Sequence, residues 1–207
     1  MSDYEKNWVS AYYKDLELKV FPEVYDPAED SLLLADSIEI KPSDEVLEVG
    51  CGSGLVTIAA CKKGAKRVLG VDINPLAVEN TKYNAQMHGC MQVEAKESDL
   101  FDNIDNQKFD VIIFNPPYLP EESAGKKLKE TMQRTWAGGP TGSETLERFL
   151  GAAKEYLKPN GRIYFLISSI TNEEKTNKML EIRGYKFEVI AREKLFFEEL
   201  IVFKATP

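Results

Sequence analysis

The 207-residue chain has no long apolar run. A helix needs roughly 18 to 20 consecutive apolar residues to cross a bilayer, and the opening MSDYEKNWVSAYYK is charged where a secretory leader is apolar. No membrane partner is therefore expected, and a cytoplasmic location is. Cysteine is sparse: Cys51, Cys61 and Cys90 are odd in number and scattered, with neither the paired spacing of a zinc site nor the density of a disulfide scaffold. Reduced, structural thiols and no bound metal are expected. The lone histidine, His88, falls near the end of a helical pattern, where a surface position is expected rather than a catalytic role. Positive charge is also short, with 26 Lys and Arg against 34 Asp and Glu, a net charge of -8. Because long nucleic acids are gripped mainly by cations that neutralise phosphates, this balance argues against a nucleic-acid partner. The local exception is GKKLKE at 125–130.

The chain also lacks internal repeats, low-complexity tracts and a linker rich in Gly, Ser or Pro, so residues 1–207 read as a single domain. Strand patterns fall at 45–50, 67–72, 91–96, 109–114 and 161–168, with weaker ones at 185–192 and 196–204. Helical patterns lie between them at 54–63, 75–88, 143–157 and about 172–183. Asn74-Pro75 places a cap residue before a proline at the first helical position. Such alternation predicts an α/β fold: a seven-stranded, mostly parallel sheet with helices on both faces. Too few residues separate the last two strands for a crossover, so a C-terminal antiparallel hairpin is expected. Ahead of the sheet, YDPAEDSLLLADSI predicts a helix over 27–38, with Asp26 as cap, Pro27 at the first position and Glu29 completing a capping box. Trp8, Tyr12 and Leu16 share one helical face, so a docked helix is expected within residues 1–18, and an N-terminal helical segment over 1–40.

VLEVGCGSGLV places Gly50, Gly52 and Gly54 between the first sheet strand and its helix, where missing Cβ atoms let the backbone turn tightly and approach a ligand. Asp72 lies about 20 residues on, at the end of the second strand, where a carboxylate can accept both hydroxyls of a ribose. The spacing departs from the dinucleotide pattern, since position 55 is Leu, and Glu48 would repel a pyrophosphate. A ligand with a ribose and a cationic or zwitterionic tail fits this acidic rim better.

FDVIIFNPPYLP, 109–120, ends an apolar strand in Asn115-Pro116-Pro117-Tyr118. The side-chain oxygen of Asn115 and the carbonyl of Pro116 can accept both hydrogens of one planar NH2 group, fixing its nitrogen as positive charge develops there. Proline donates no competing hydrogen bond and stiffens the backbone. Tyr118 offers a flat aromatic face. Amides and exocyclic adenine amines both suit such a clamp.

LEVGCGSG, VDINPLA and ESDLF resemble the S-adenosyl-L-methionine site of Rossmann-like class I methyltransferases. With VYDPAEDSLLL, FNPPYLP and WAGGPTGSETLERFL, the likeness extends over nearly the whole chain to HemK-type glutamine methyltransferases, in the archaeal and eukaryotic branch that modifies class I translation termination factors. The resemblance implies methylation of the glutamine in a Gly-Gly-Gln loop of the release factor. It places the ribose at Asp72 and Ile73, the adenine amine at Asp99 with Leu100 beside the ring, and Ser31 at the cofactor. Glu48, the three glycines and Asn115 belong to the same cofactor set. Asn115, Pro116, Pro117 and Tyr118 become the catalytic group, with Asn115, Pro116 and Tyr118 toward the substrate. Apart from the resemblance, the 121–141 loop carries Arg134 and Trp136 among glycines and is the expected substrate-facing element; a Trp is costly to leave exposed, so Trp136 is expected to line the substrate pocket or to pack against the loop of Tyr118. A small zinc-binding activator subunit is the implied partner. The other readings are adenine-N6 methylation of DNA or RNA, protein lysine methylation, and a catalytically silent scaffold.

Overall fold

The computed structural model describes residues 8–118 and 142–207. In chain order, the first half holds β1 (Val9–Tyr13), β2 (Leu16–Val20), α1 (Glu29–Ser37), β3 (Glu45–Val49), α2 (Leu55–Lys62), β4 (Arg67–Asp72), α3 (Pro75–Met87) and β5 (Val93–Glu97). The second holds β6 (Phe109–Phe114), α4 (Glu144–Ala152), β7 (Leu157–Ser168), α5 (Glu173–Ile182), β8 (Lys186–Lys194) and β9 (Glu199–Thr206). Strands β3 to β9 form a seven-stranded sheet in the order β5-β4-β3-β6-β7-β9-β8. The ladders β3–β4, β4–β5 and β6–β7 are parallel, while β9 runs antiparallel to both β7 and β8. The doubly wound sheet and its terminal hairpin are thus as expected.

The chain divides into compact units 1–105 and 106–207. In the first, Val46, Leu47, Val49, Val68, Leu69 and Val71 are buried on β3 and β4. A strand apolar on successive residues needs cover on both faces, which separates it from the alternating strands of a half-exposed sheet. Helix α2, buried from Leu55 to Cys61, supplies part of that cover. In the second unit, Val111 to Phe114, Ile163 to Ile167 and Ile201 to Phe203 are buried. Helix α4 buries Leu146, Phe149 and Leu150, and the Phe149 ring lies 4.5 Å from that of Phe114.

Several expectations are corrected. Residues 9–20 form an antiparallel hairpin, β1 with β2, where a helix was expected within 1–18. Trp8, Tyr12 and Leu16 are four residues apart, a spacing that marks one face of a helix and equally one face of a strand. The turn at Lys14, with φ 54°, and the buried alternation of Leu18 and Val20 settle the strand. Helix α1 begins at Glu29 after an extended Ala28 and has no side-chain cap, so Asp26 and Pro27 stay outside it and the capping box does not form. Helix α4 ends at Ala152 and gives way to one 3-10 turn, Ala153–Tyr156. Cys61 and Cys90 are joined in a disulfide with Cα atoms 6.2 Å apart, where reduced thiols were expected. The end of α2 and the segment after α3 bring the two together across 29 residues. Only Cys51 is free, and it is buried. His88 is half-buried, its Nε2 2.8 Å from the Glu17 carbonyl oxygen, so it is not a plain surface residue.

Candidate active site

The glycine loop leaves β3 at Val49 and hangs from β4: the amides of Gly50 and Cys51 both donate to the Val71 carbonyl, at 2.7 and 3.0 Å. Gly52 and Gly54 have φ of 54° and 89°, in the left-handed region that a Cβ disfavours. At Gly54 space is short as well, since a Cβ would come within 3.1 Å of Thr81, the close helix-to-loop approach that the glycine permits. At Gly52 nothing lies within 4 Å of that position. The loop is therefore held from behind and open in front of Gly52. Helix α3 does the holding, with Thr81 Oγ1 donating to the Gly52 carbonyl at 3.1 Å and Asn84 Nδ2 to the Ser53 carbonyl at 2.8 Å.

Asp72 ends β4 and is 6% exposed. Its Oδ2 accepts from the Gly52 amide and its Oδ1 from the Asn74 amide, both at 2.9 Å. Burial pushes the carboxyl above its ordinary value, and the amides of Asn74, Gly52 and Ile73 pull the other way by stabilising the anion. A carboxylate oxygen has more than one acceptor direction, so Asp72 can take ligand hydroxyls while holding both amides. Asn74 caps α3 by accepting from the Leu76 amide at 3.0 Å and donates to the Glu23 carbonyl at 2.9 Å.

Glu48 is 2% exposed and accepts a short hydrogen bond from the Thr57 hydroxyl. Burial pushes its carboxyl up to about 8, with the nearby Asp72 charge adding to the rise. It is therefore protonated at neutral pH and bonded to Thr57, beneath the loop. The β5 exit is tied to the β4 exit by the Ser98 amide, which donates to the Asp72 carbonyl at 2.9 Å. Ser98 Oγ in turn donates to the Leu100 carbonyl at 3.0 Å, holding Leu100 at a φ of 49°. Asp99 and Leu100 are half-buried. Ser31, on α1, is buried; its amide donates to Oδ1 of Asp30 at 2.6 Å, and both oxygens of Asp30 accept from the Tyr25 hydroxyl at 3.0 Å.

In the second unit Asn115 to Tyr118 follow β6, with Pro116 buried and Asn115, Pro117 and Tyr118 half-buried. Gly142, at φ 82°, lies against the end of this motif: a Cβ there would come within 2.5 Å of the Tyr118 carbonyl oxygen and 3.3 Å of Thr171. Trp136, Arg134 and the 125–130 cluster lie outside the described residues. Among the described residues no three His, Cys, Asp or Glu side chains are grouped to hold a metal ion, and no helix is long and apolar enough to cross a membrane.

The structure thus gathers Glu48, the three glycines, Asp72, Ile73, Asp99 and Leu100 around the exits of β3, β4 and β5. Sequence reading missed Thr57 and Asn84, and it read Asn74 only as a helix cap. A signal was present for Asn84, because Asn80 and Asn84 fall four residues apart on one helical face, and asparagines there must find hydrogen-bond partners if buried.

A doubly wound sheet with this glycine loop and a carboxylate at the second strand's end defines a class I methyltransferase fold. The chain belongs to the methyltransferase small domain family, which matches residues 23–197. It is 46% identical over 190 residues to a Methanocaldococcus jannaschii protein named as a protein N5-glutamine methyltransferase, covering 92% of this chain and 95% of that one. It is 35% identical over 176 residues to the mouse methyltransferase HEMK2, covering 79% and 80% of the two chains. Among solved structures, the E. cuniculi Mtq2–Trm112 complex, responsible for methylation of the eRF1 translation termination factor, matches with a TM-score of 0.67 and 25% identity, over 88% of this chain and 98% of that one.

Proposed function

We propose that this protein is an S-adenosyl-L-methionine-dependent methyltransferase that modifies the side-chain amide of the glutamine in the Gly-Gly-Gln loop of a class I release factor. The observation that carries the reading is the 46% identity, over 92% of this chain, to a protein named for N5-glutamine methylation, in a chain that carries Asp72, Asp99 and Asn115-Pro116-Pro117-Tyr118. The unobstructed face at Gly52 and the buried Asp72 carboxylate fit the cofactor: the loop gives backbone a close approach, and Asp72 gives its ribose two acceptors. Asp99 would receive the adenine amine beside Leu100, with Ile73 and Ser31 bordering the cofactor. Glu48 supports the loop from beneath.

When bound, the cofactor supplies a methyl group on a positively charged sulfur that leaves as a neutral thioether. An amide nitrogen is a poor nucleophile because its lone pair is delocalised, so the residues of this chain have to orient it. Asn115 Oδ1 and the Pro116 carbonyl accept the two amide hydrogens, and charge developing on the nitrogen is spread onto both oxygens. Pro116 and Pro117 keep those acceptors stiff, and Tyr118 takes the flat face of the amide. The N–C bond would form as the S–C bond breaks, and the nitrogen would then lose one proton to solvent, so no strong base is required before attack, in keeping with a site that lacks a catalytic histidine.

The acceptor class follows the M. jannaschii relative and the eRF1-methylating complex, and the net charge of -8 counts against a nucleic acid. By the same likeness a small zinc-binding activator subunit is the proposed partner, the cytoplasm the proposed location, and residues 1–207 the proposed domain, with the first 40 residues over the cofactor site and Trp136 toward the substrate. The test is transfer from methyl-labelled cofactor to purified release factor, alongside DNA, RNA and a histone. Label on the release factor alone supports the reading; label on nucleic acid or on the histone alone refutes it.

A further inference from the structure

Helix α3 presents Asn80, Asn84 and His88 at four-residue intervals, and the two asparagines are wholly buried. All three face the backbone of β2. The Lys19 amide donates to Asn84 Oδ1 at 2.9 Å, and the Lys19 carbonyl accepts from the Nδ2 groups of Asn84 and Asn80, at 2.8 and 2.6 Å. The Phe21 amide donates to Asn80 Oδ1 at 2.8 Å, and the Glu17 carbonyl accepts from the His88 ring at 2.8 Å. Glu17 and Lys19 on the strand and Phe21 just past its end alternate along the backbone, so their outward groups would otherwise be those of an open sheet edge. Four helical residues rise about 6.0 Å and two strand residues about 6.6 Å, so the side chains of α3 keep step with β2 in place of a third strand.

Asn84 does more than complete this ladder. Its second amide hydrogen goes to the Ser53 carbonyl in the glycine loop at 2.8 Å. One side chain therefore spends its acceptor and one donor on the N-terminal hairpin and its other donor on the loop, with no solvent to replace any of the three. The side-chain hydrogen bonds of Asn80 go to the hairpin segment, and that of Thr81 goes to the loop.

We infer that Asn84 is a positioning residue that couples seating of the β1–β2 hairpin to the shape of the glycine loop, so that ligand binding at the loop tightens the hairpin and loosening the hairpin weakens binding. The inference rests on the cofactor reading above, and reciprocity is required of any such coupling.

The test is amide-resolved hydrogen exchange of the full chain with and without saturating S-adenosylhomocysteine, its binding followed separately by calorimetry. Exchange at the Lys19 and Phe21 amides is expected to slow about fivefold or more on binding, a size usual for coupled sites. Asn80→Ala, which removes no contact to the loop, is expected to raise the Kd by a similar factor. Unchanged exchange at both amides in the wild-type protein, with binding confirmed, overturns the inference even if the variant fails to fold. An unchanged Kd in a folded Asn80→Ala protein does the same. Absence of any binding refutes instead the cofactor reading itself.

Discussion

The backbone amide of Gly52 donates to Oδ2 of Asp72 at 2.9 Å, so the carboxylate that the proposed cofactor needs also holds the loop that faces it. Asp72 closes a second hydrogen bond to the Asn74 amide at 2.9 Å, which sets the start of α3. One buried group thus fixes the loop and the helix behind it.

Replacing Asp72 by Ala removes both the loop restraint and the ribose acceptor. Hydrogen bonds to a charged group are worth about 1.5–3 kcal/mol each. Losing two to the ligand is expected to raise the Kd for S-adenosylhomocysteine about 100-fold or more by calorimetry. Wild-type affinity in Asp72→Ala would contradict the assignment.

Asn115→Ala tests the acceptor clamp. If Asn115 orients the amide nitrogen, kcat falls about 100-fold or more while the Kd for S-adenosylhomocysteine stays within about twofold. A matching loss of ligand affinity would place Asn115 in the cofactor site alone.

Glu48 predicts a pH-dependent stability. Its buried carboxyl titrates near 8 in the folded chain against an ordinary 4.5, so between those values the folded state holds a proton that the unfolded state has released. Its contribution is fully present below about 4.5 and is lost as pH rises through about 8, with a slope of up to ~1.4 kcal/mol per pH unit. Urea unfolding of Glu48→Gln across this range is expected to show a smaller decline with rising pH than the wild-type protein. Parallel curves would mean that Glu48 is ionised in the folded state.

The Cys61–Cys90 bond closes a 29-residue separation. In chain-entropy terms a loop of that size is worth about 3–4 kcal/mol. Cys90→Ser, or a strong reductant, is expected to lower the Tm of the wild-type protein, and the reductant to leave Cys90→Ser unchanged. Equal sensitivity of both would show that the bond does not form in solution.

The sheet was legible because its central strands, such as FDVIIF, are largely apolar between clear helix signals, and Asn74-Pro75 marked the start of α3 where the structure has it. The N-terminal hairpin was not. Residues 8, 12 and 16 suit either period, and the edge of the hairpin is completed by the side chains of Asn80 and Asn84, some 60 residues away in sequence, beyond the reach of a local pattern. The α1 start failed for a related reason: Pro27 fits extended backbone as readily as a first helical turn, and Ala28 is extended. The disulfide pairs two of three scattered cysteines through tertiary contact, which spacing alone cannot reveal. At the site, residue types and order identified Asp72 and the glycines, whereas the inward turn of Glu48 depends on Thr57 beneath it.

Mass spectrometry of the release factor, incubated with S-adenosyl-L-methionine and with or without this protein, tests the central claim most directly. The account predicts one added methyl on the glutamine of the Gly-Gly-Gln peptide, present only with the protein and lost with Asn115→Ala. An unmodified glutamine in the presence of active, cofactor-binding protein, with its activator subunit supplied, would contradict it.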